Sequence, residues 1–522
     1  MFSSLLARRR ILVRIQPLIN SRGSRLHRKY SKCSPLSNDV LTNEGKVLGV
    51  WIFFRHGDRA PARPLSAPHR LYEESLFWQE RLPQPNLKAV FREYSKFFPP
   101  DIHPSNNNGE FLDVRRYPFG FLTQRGLQQT RENGARLFNR YDRHGHHLPE
   151  IEHYACSKDF LDVWDLKVFS TNYLRTVSSV QSFLDGLLGT KVYSSLRTLS
   201  LASADESSEL FEDSGIPQHS DEPCPQDSKA LLRVQVRGRD DDTLNAFDRN
   251  PDMMAQLVDD VMSCQEFQDR DGTAAPLAAR LANILPGLAR KKRNTSGFNA
   301  SPSGINWIEA TDHFVCRSAH DMSFSRFSDF EHDAQIEETL RALSHQTTAH
   351  LAWRFRQWYK NPKLLAAIAA PPLREISDQL TKATTLGARE RHPFTIYSCH
   401  DVTLLAILYG IGADFLSGDD KSRWRFWPAY ASTLIFELVQ IEEDTSPDSF
   451  VVRILLNGKP VKSMDRLHRY WEGESRYVGH GPHSMLLAND FEEVVSKLES
   501  EFTRQERAEG SEAERDMSNW TG

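Results

Sequence analysis

The sequence predicts an α/β fold: a mostly parallel central sheet flanked by helices, with a smaller, mainly helical cap domain inserted into it. Two observations carry that expectation. Three stretches of strand length, the apolar run Lys46 to Phe54, then Leu166 to Phe169 and Phe394 to Ser398, each stop at polar residues and hand over to a loop or helix. That is the pattern of a sheet whose ligands bind beyond the carboxyl ends of its strands. Between the second and third, Lys229 to about Lys360 alternates helical spacing with polar, basic and Ser-rich stretches, which reads as an insertion.

The bulk numbers agree with a globular chain. Of 522 residues, 39% are hydrophobic and 26% charged, enough to build a sizeable core. The net charge is −4 with the basic residues scattered, so no nucleic-acid partner is expected and any anion binding must be local. No apolar run reaches eighteen residues, so no transmembrane segment is expected. Cys33, Cys156, Cys224, Cys264, Cys316 and Cys399 lie at long, irregular intervals without a CxxC, which suits neither a disulfide framework nor a zinc site.

The elements follow in order. Residues 1–38 carry Arg8, Arg9, Arg10, Arg14, Arg22, Arg25, Arg28, Lys29 and Lys32, with no acidic residue before Asp39. Leu5, Leu6, Ile11, Leu12 and Ile15 lie among these arginines, which suits an amphipathic helix and not the unbroken core of a secretory signal. The leader reads as a mitochondrial transit peptide, and a mitochondrial location is expected. After the first strand, residues 61–120 are rich in Pro, Asn, Gly and aromatics without a sustained period, a long excursion over one end of the sheet. A helix is expected from an N-cap at Thr123 to about Arg140, and another from Leu174 to Leu188. The acidic, turn-rich stretch 204–227 opens the insertion, and the last third returns to strand and helix around His400, with paired strands at Ser432–Ile441 and Phe450–Leu456. The expected organisation is a transit peptide over 1–38, an α/β core over 45–200 and 390–470, a mainly helical cap over 205–385, and a frayed, charged tail over 500–522.

The chemistry concentrates after the first strand. His56 offers an imidazole nitrogen, a good acceptor for phosphoryl transfer, and Gly57 beside it lets backbone approach a ligand. Arg55 and Arg59 flank it with permanently charged, fork-shaped donors suited to phosphate. Phosphate removal also needs an acid for the leaving oxygen. The triplet of histidines His144, His146 and His147 has no carboxylate or cysteine at ligand spacing and reads as a polar connection.

The segment Arg55–Pro61 (RHGDRAP) after an apolar strand resembles the signature of the histidine acid phosphatase family, branch 2 of the histidine phosphatase superfamily. Three further blocks stand in that family's order: Leu122–Gly126, Ser170–Thr176 (STNYLRT) with Arg175, and His400-Asp401 after a strand; a late WPAYAS element echoes a fourth. The resemblance implies a phosphoric monoester hydrolase without a cofactor or metal. It implies that His56 is the nucleophile, Asp401 the proton donor, and Arg55, Arg59, Arg175 and His400 the phosphate ligands. The chain departs from many relatives in having Phe169 where an arginine precedes the Ser-Thr pair, and Asp58 occupies a variable position. Within the family the leader, Ser170–Asn172, Ala204–Glu206 and His400–Thr403 (HDVT) are most similar to the mitochondrial lysophosphatidic acid phosphatase type. That likeness implies a lysophospholipid substrate, converted to monoacylglycerol and phosphate. Phe77, Trp78, Phe91, Phe97, Phe98, Phe111, Tyr117, Phe119 and Phe121 would then wall an acyl chain, or else pack as ordinary core. The alternatives are a general acid, phytase-like or sugar-phosphate phosphatase, and a non-catalytic phosphate- or lipid-binding protein on the same fold. The acidic 204–227 stretch argues against the basic mouth of a phytase.

Residues 1–38 fused to a reporter are expected to carry it into isolated mitochondria; a reporter that stays accessible to added protease overturns the transit-peptide reading.

Overall fold

The computed structural model describes residues 45–65, 67–84, 86–106, 111–143, 160–161, 163–201, 232–289, 304–386, 391–417, 426–441, 449–461 and 485–501. The leader, the 204–227 stretch, the triplet of histidines, residues 290–303 and the tail beyond 501 lie outside the described residues.

Within them the sheet has nine strands: β1 (Lys46–Arg55), β2 (Pro100–Ile102), β3 (Trp164–Ser170), β4 (Val234–Val236), β5 (His392–Cys399), β6 (Thr433–Gln440), β7 (Phe450–Leu456), β8 (Lys459–Pro460) and β9 (Met485–Leu487). Their order is β2-β4-β3-β5-β1-β6-β7-β8, with β9 also on β7. The five strands from β2 to β1 run parallel, and β6 to β9 are antiparallel additions on one side. The three strands expected to end at polar residues are therefore neighbours: β1 lies between β5 and β6, and β5 between β3 and β1. β2 and β4 escape a sequence reading because three residues show no period. β4 also means that the stretch expected as a helical cap lends a strand to the sheet, between β2 and β3.

β1 is buried along nearly its whole length because both faces of the sheet are covered. Trp51 and Phe53 face a core shared with helices Ala334–Lys360, Pro362–Ala383 and Asp401–Gly410. Val50, Ile52 and Phe54 face the other core, built on helices Gln124–Arg143 and Leu174–Leu201. β5 divides the same way, Tyr397 and Cys399 to the first core and Phe394 and Ile396 to the second. Each such side chain contributes about 1.5–3 kcal/mol on burial, so an alternation within an unbroken apolar run locks the strand between two layers. Helices Gln124–Arg143 and Leu174–Leu201 meet backbone to backbone. A Cβ at Gly134 would lie 2.0 Å from the Phe183 carbonyl oxygen, and one at Gly186 1.8 Å from that of Arg131. Among the described residues no helix is long and apolar enough to cross a membrane.

One charge is buried in the sheet itself. Glu437 on β6 is fully covered and accepts from Arg140 Nη2 at 2.7 Å, Tyr141 Oη at 2.7 Å and Arg453 Nε at 2.5 Å. Burial alone would raise its pKa, but Arg140 and Arg453 more than offset this and hold it at about 2 instead of the usual 4.5. Since its folded value is depressed, its contribution to stability is complete above pH 4.5 and is lost as pH falls toward 2. Glu437→Ala is expected to cost about 3–5 kcal/mol in denaturant unfolding, because two buried cations lose their partner; a loss under 1 kcal/mol would show the cluster to be incidental.

Candidate active site

The carboxyl ends of β1, β3 and β5 bring together all six residues singled out from the sequence. Arg55 closes β1 and is paired in register with Cys399, the last residue of β5. His56 and His400 follow on the two strands, with ring centroids 5.7 Å apart. Ser170 ends β3, and Thr171 turns the chain into helix Leu174–Leu201, which carries Arg175.

The loop after β1 is seated on helix Gln124–Arg143. A Cβ on Gly57 would stand 2.3 Å from the Gly126 carbonyl oxygen, and one on Gly126 2.1 Å from that of Asp58, so both positions require glycine. Thr123 is the N-cap the sequence predicts: its Oγ1 accepts from the Gly126 N–H at 3.1 Å while its hydroxyl donates to Asp58 Oδ2 at 2.6 Å. Asp58 is buried and also meets His320 Nε2 at 2.7 Å. The Gly57 N–H donates to Ser179 Oγ at 3.1 Å.

His56 is buried, with Nδ1 2.8 Å from the Gly57 carbonyl oxygen. A carbonyl only accepts, so Nδ1 carries the proton and Nε2 keeps its lone pair. Burial, then Arg175, Arg55, Arg59 and His400, hold the His56 pKa well below its usual range. Burial and the same three arginines do so for His400. Both rings are therefore neutral near pH 7. His400 bonds Thr171 Oγ1 through Nε2 at 3.1 Å and lies edge-on to Tyr173, 5.0 Å between centroids.

Each arginine is held by a carboxylate. Arg55 Nη2 is 2.7 Å from Asp401 Oδ2, its Nη1 donates to the Pro428 carbonyl at 2.7 Å, and its guanidinium lies 4.1 Å from the centre of the Tyr430 ring. Arg59 forks onto Asp312 at 2.9 and 3.1 Å. Arg175 Nη1 donates to Asp113 at 3.1 Å, and Asp113 also accepts the backbone N–H of Leu174 at 2.7 Å. Both terminal nitrogens of Arg55 and Arg59 and Nη1 of Arg175 are engaged in this way, and all three arginines retain a buried Nε–H without a partner in the protein. An unmet buried donor costs about 1–3 kcal/mol, which an anion in their midst would recover. Asp401 accepts from Val402 N–H at 2.9 Å through Oδ1 and from Trp427 Nε1 at 3.0 Å through Oδ2.

Asp113, Asp312, Trp427 and Tyr430 belong to this assembly as much as the predicted residues do. Asp113 lies in the aperiodic excursion and Asp312 in the helical insertion, where nothing local distinguishes them from solvated carboxylates. The aromatics of the excursion pack as core: Phe97, Phe98, Phe111 and Phe121 join the second core, and Phe77, Trp78 and Phe119 form a cluster with Tyr430. Tyr117 is the exposed one among them. Most of these side chains are covered by apolar neighbours, as the ordinary-core alternative expects. Among the described residues no group of three or more His, Cys, Asp or Glu is arranged to hold a metal ion.

The family model described as histidine phosphatase superfamily (branch 2) matches residues 46–457. A human protein described as 2-phosphoxylose phosphatase 1 is 34% identical over 154 residues, 29% of this chain and 28% of that protein, so the chain matches under a third of the relative's length. The multiple inositol polyphosphate phosphatase of Bifidobacterium longum, solved with inositol hexasulfate, superposes over 89% of this chain and 94% of its own with a TM-score of 0.51 at 13% identity, a likeness of fold. A phytase from Citrobacter braakii covers 87% of this chain and 98% of its own at a TM-score of 0.44 and 13% identity.

With ring-labelled histidine, the two site imidazoles are expected to keep neutral-form nitrogen shifts on acidification from pH 7.5 to 6; titration of both near 6.5 would contradict the burial and charge described.

Proposed function

Because the chain belongs to branch 2 of the histidine phosphatase superfamily, we propose that it hydrolyses phosphate monoesters through a phosphohistidine at His56. The observation that carries this reading is the His56 imidazole, kept neutral by burial and three neighbouring arginines, with the Gly57 carbonyl on Nδ1 leaving the Nε2 lone pair free. In this reading Nε2 attacks phosphorus as the bond from phosphorus to the alcohol oxygen breaks. Arg55, Arg59 and Arg175 stabilise the non-bridging oxygens as charge develops, and His400 adds a contact opposite the nucleophile. Asp401 gives a proton to the departing alkoxide; water then attacks the phosphohistidine, Asp401 takes its proton, and inorganic phosphate leaves with His56 restored. Arg55 bonds Asp401, so it would link the phosphate to the acid.

For the alcohol, the resemblance in Ser170–Asn172 and His400–Thr403 supports lysophosphatidic acid, and with it a role in mitochondrial lipid metabolism. A second reading, a phosphorylated sugar, is supported by the 34% identity over 154 residues to the human 2-phosphoxylose phosphatase. A panel of lysophosphatidate, a pentose 2-phosphate, inositol hexakisphosphate and an aryl phosphate separates them; phosphate release from none would sink the hydrolase reading.

Rapid quench is expected to trap an acid-labile, base-stable phosphoprotein that His56→Ala abolishes. Asp401→Asn should slow alkyl phosphates by about 10²–10⁴-fold and aryl phosphates, whose leaving group needs little protonation, far less. Equal slowing of both would remove Asp401 from the proton-donor role.

A further inference from the structure

Helix Trp307–Ala319, in the insertion, turns one face toward the loop after β1. Positions 309, 312, 316 and 320 recur every three or four residues and therefore share one side of the helix and its cap. Glu309 ion-pairs with Arg63. Asp312 forks onto Arg59 and also accepts the Ala62 N–H at 2.7 Å. Cys316 Sγ meets Tyr430 Oη at 3.2 Å, and His320 Nε2 meets Asp58 at 2.7 Å. Three of the four partners lie in the segment 58–63, and the fourth, Tyr430, lies under Arg55.

We propose that Asp312, at the centre of this face, is a positioning residue that sets the Arg59 guanidinium for phosphate and makes the loop's competence depend on docking of the insertion. The proposal rests on reading this site as a phosphate site. Asp312 bonds both terminal nitrogens of Arg59 and the loop backbone three residues on, so it fixes the side chain and its platform together. Nη1 also donates to the Ala60 carbonyl at 2.9 Å, which leaves Nε as the buried donor without a protein partner. A bidentate fork holds a planar cation in one orientation, which a single contact or solvent does not. The pair is about nine-tenths buried, so salt and water screen it little.

A simpler role, neutralising a buried cation, predicts the opposite outcome. Removing a negative charge beside an anion site would tighten anion binding, whereas removing a positioning group would loosen it. The deciding measurement is calorimetric titration of the full chain with inorganic phosphate. Asp312→Asn and Asp312→Glu are each expected to weaken phosphate by about tenfold or more, the second because it keeps the charge but moves the fork. In an Arg59→Ala background Asp312→Asn should change the affinity less than twofold. Asp312→Asn binding phosphate as tightly as the parent or more so would overturn the proposal. So would the same loss with and without Arg59. If Asp312→Asn does not fold, Asp312→Glu decides alone, and an unchanged affinity overturns the positioning role. Arg59→Ala without effect on phosphate would instead overturn the phosphate-site reading itself.

Discussion

The contact between Gly57 and Gly126 is the constraint on which the rest of the site depends. Where a side chain would separate loop from helix, two backbones lie against each other, and the N-terminus of helix Gln124–Arg143 becomes the floor of the loop after β1. From that seating follow the hydrogen bond that orients His56, the burial of Asp58 under Thr123, and the approach of Arg59 to the insertion. The same helix carries Gly134, which brings helix Leu174–Leu201 equally close. Arg175 at the start of that second helix is thereby placed against the loop by contacts of backbone on backbone, stiffer than any packing of long side chains.

The site concentrates three arginines and two histidines at one end of a sheet, an arrangement that burial opposes. Two devices make it tolerable. The histidines stay neutral, and each arginine is matched to a carboxylate: Asp401, Asp312 or Asp113. The three carboxylates come from three different parts of the chain, the helix after β5, the insertion and the excursion. The balance of charge is therefore a property of the folded molecule and of no single segment. Glu437, with its two arginines and a tyrosine, solves the same problem within the sheet.

Much of this was legible in the sequence because it is local. The run that stops before Arg55 reveals a central strand, since a strand buried on both faces shows no polar alternation. The Thr123 cap and the RHG, STNYLRT and HD blocks are likewise contiguous. What stayed hidden depends on pairing across distance. β2 and β4 are too short to carry a period, and Asp113 and Asp312 acquire meaning only through the arginines they hold. The aromatics of residues 61–120 show the limit of composition: a Phe that lines a pocket and a Phe that fills a core have the same sequence signature, and only their neighbours in the fold tell them apart.

Arg55 and Cys399 face each other in the ladder between β1 and β5. His56 and His400, one step beyond, therefore inherit their separation from a backbone repeat. Neighbouring strands stand about 4.8 Å apart and advance by about 3.3 Å per residue, so a one-residue slip of this ladder would both displace one histidine from the other and invert which core a strand faces. The two histidines are thus anchored to one ladder of the sheet, and whatever shifts its register disturbs the site and both cores at once.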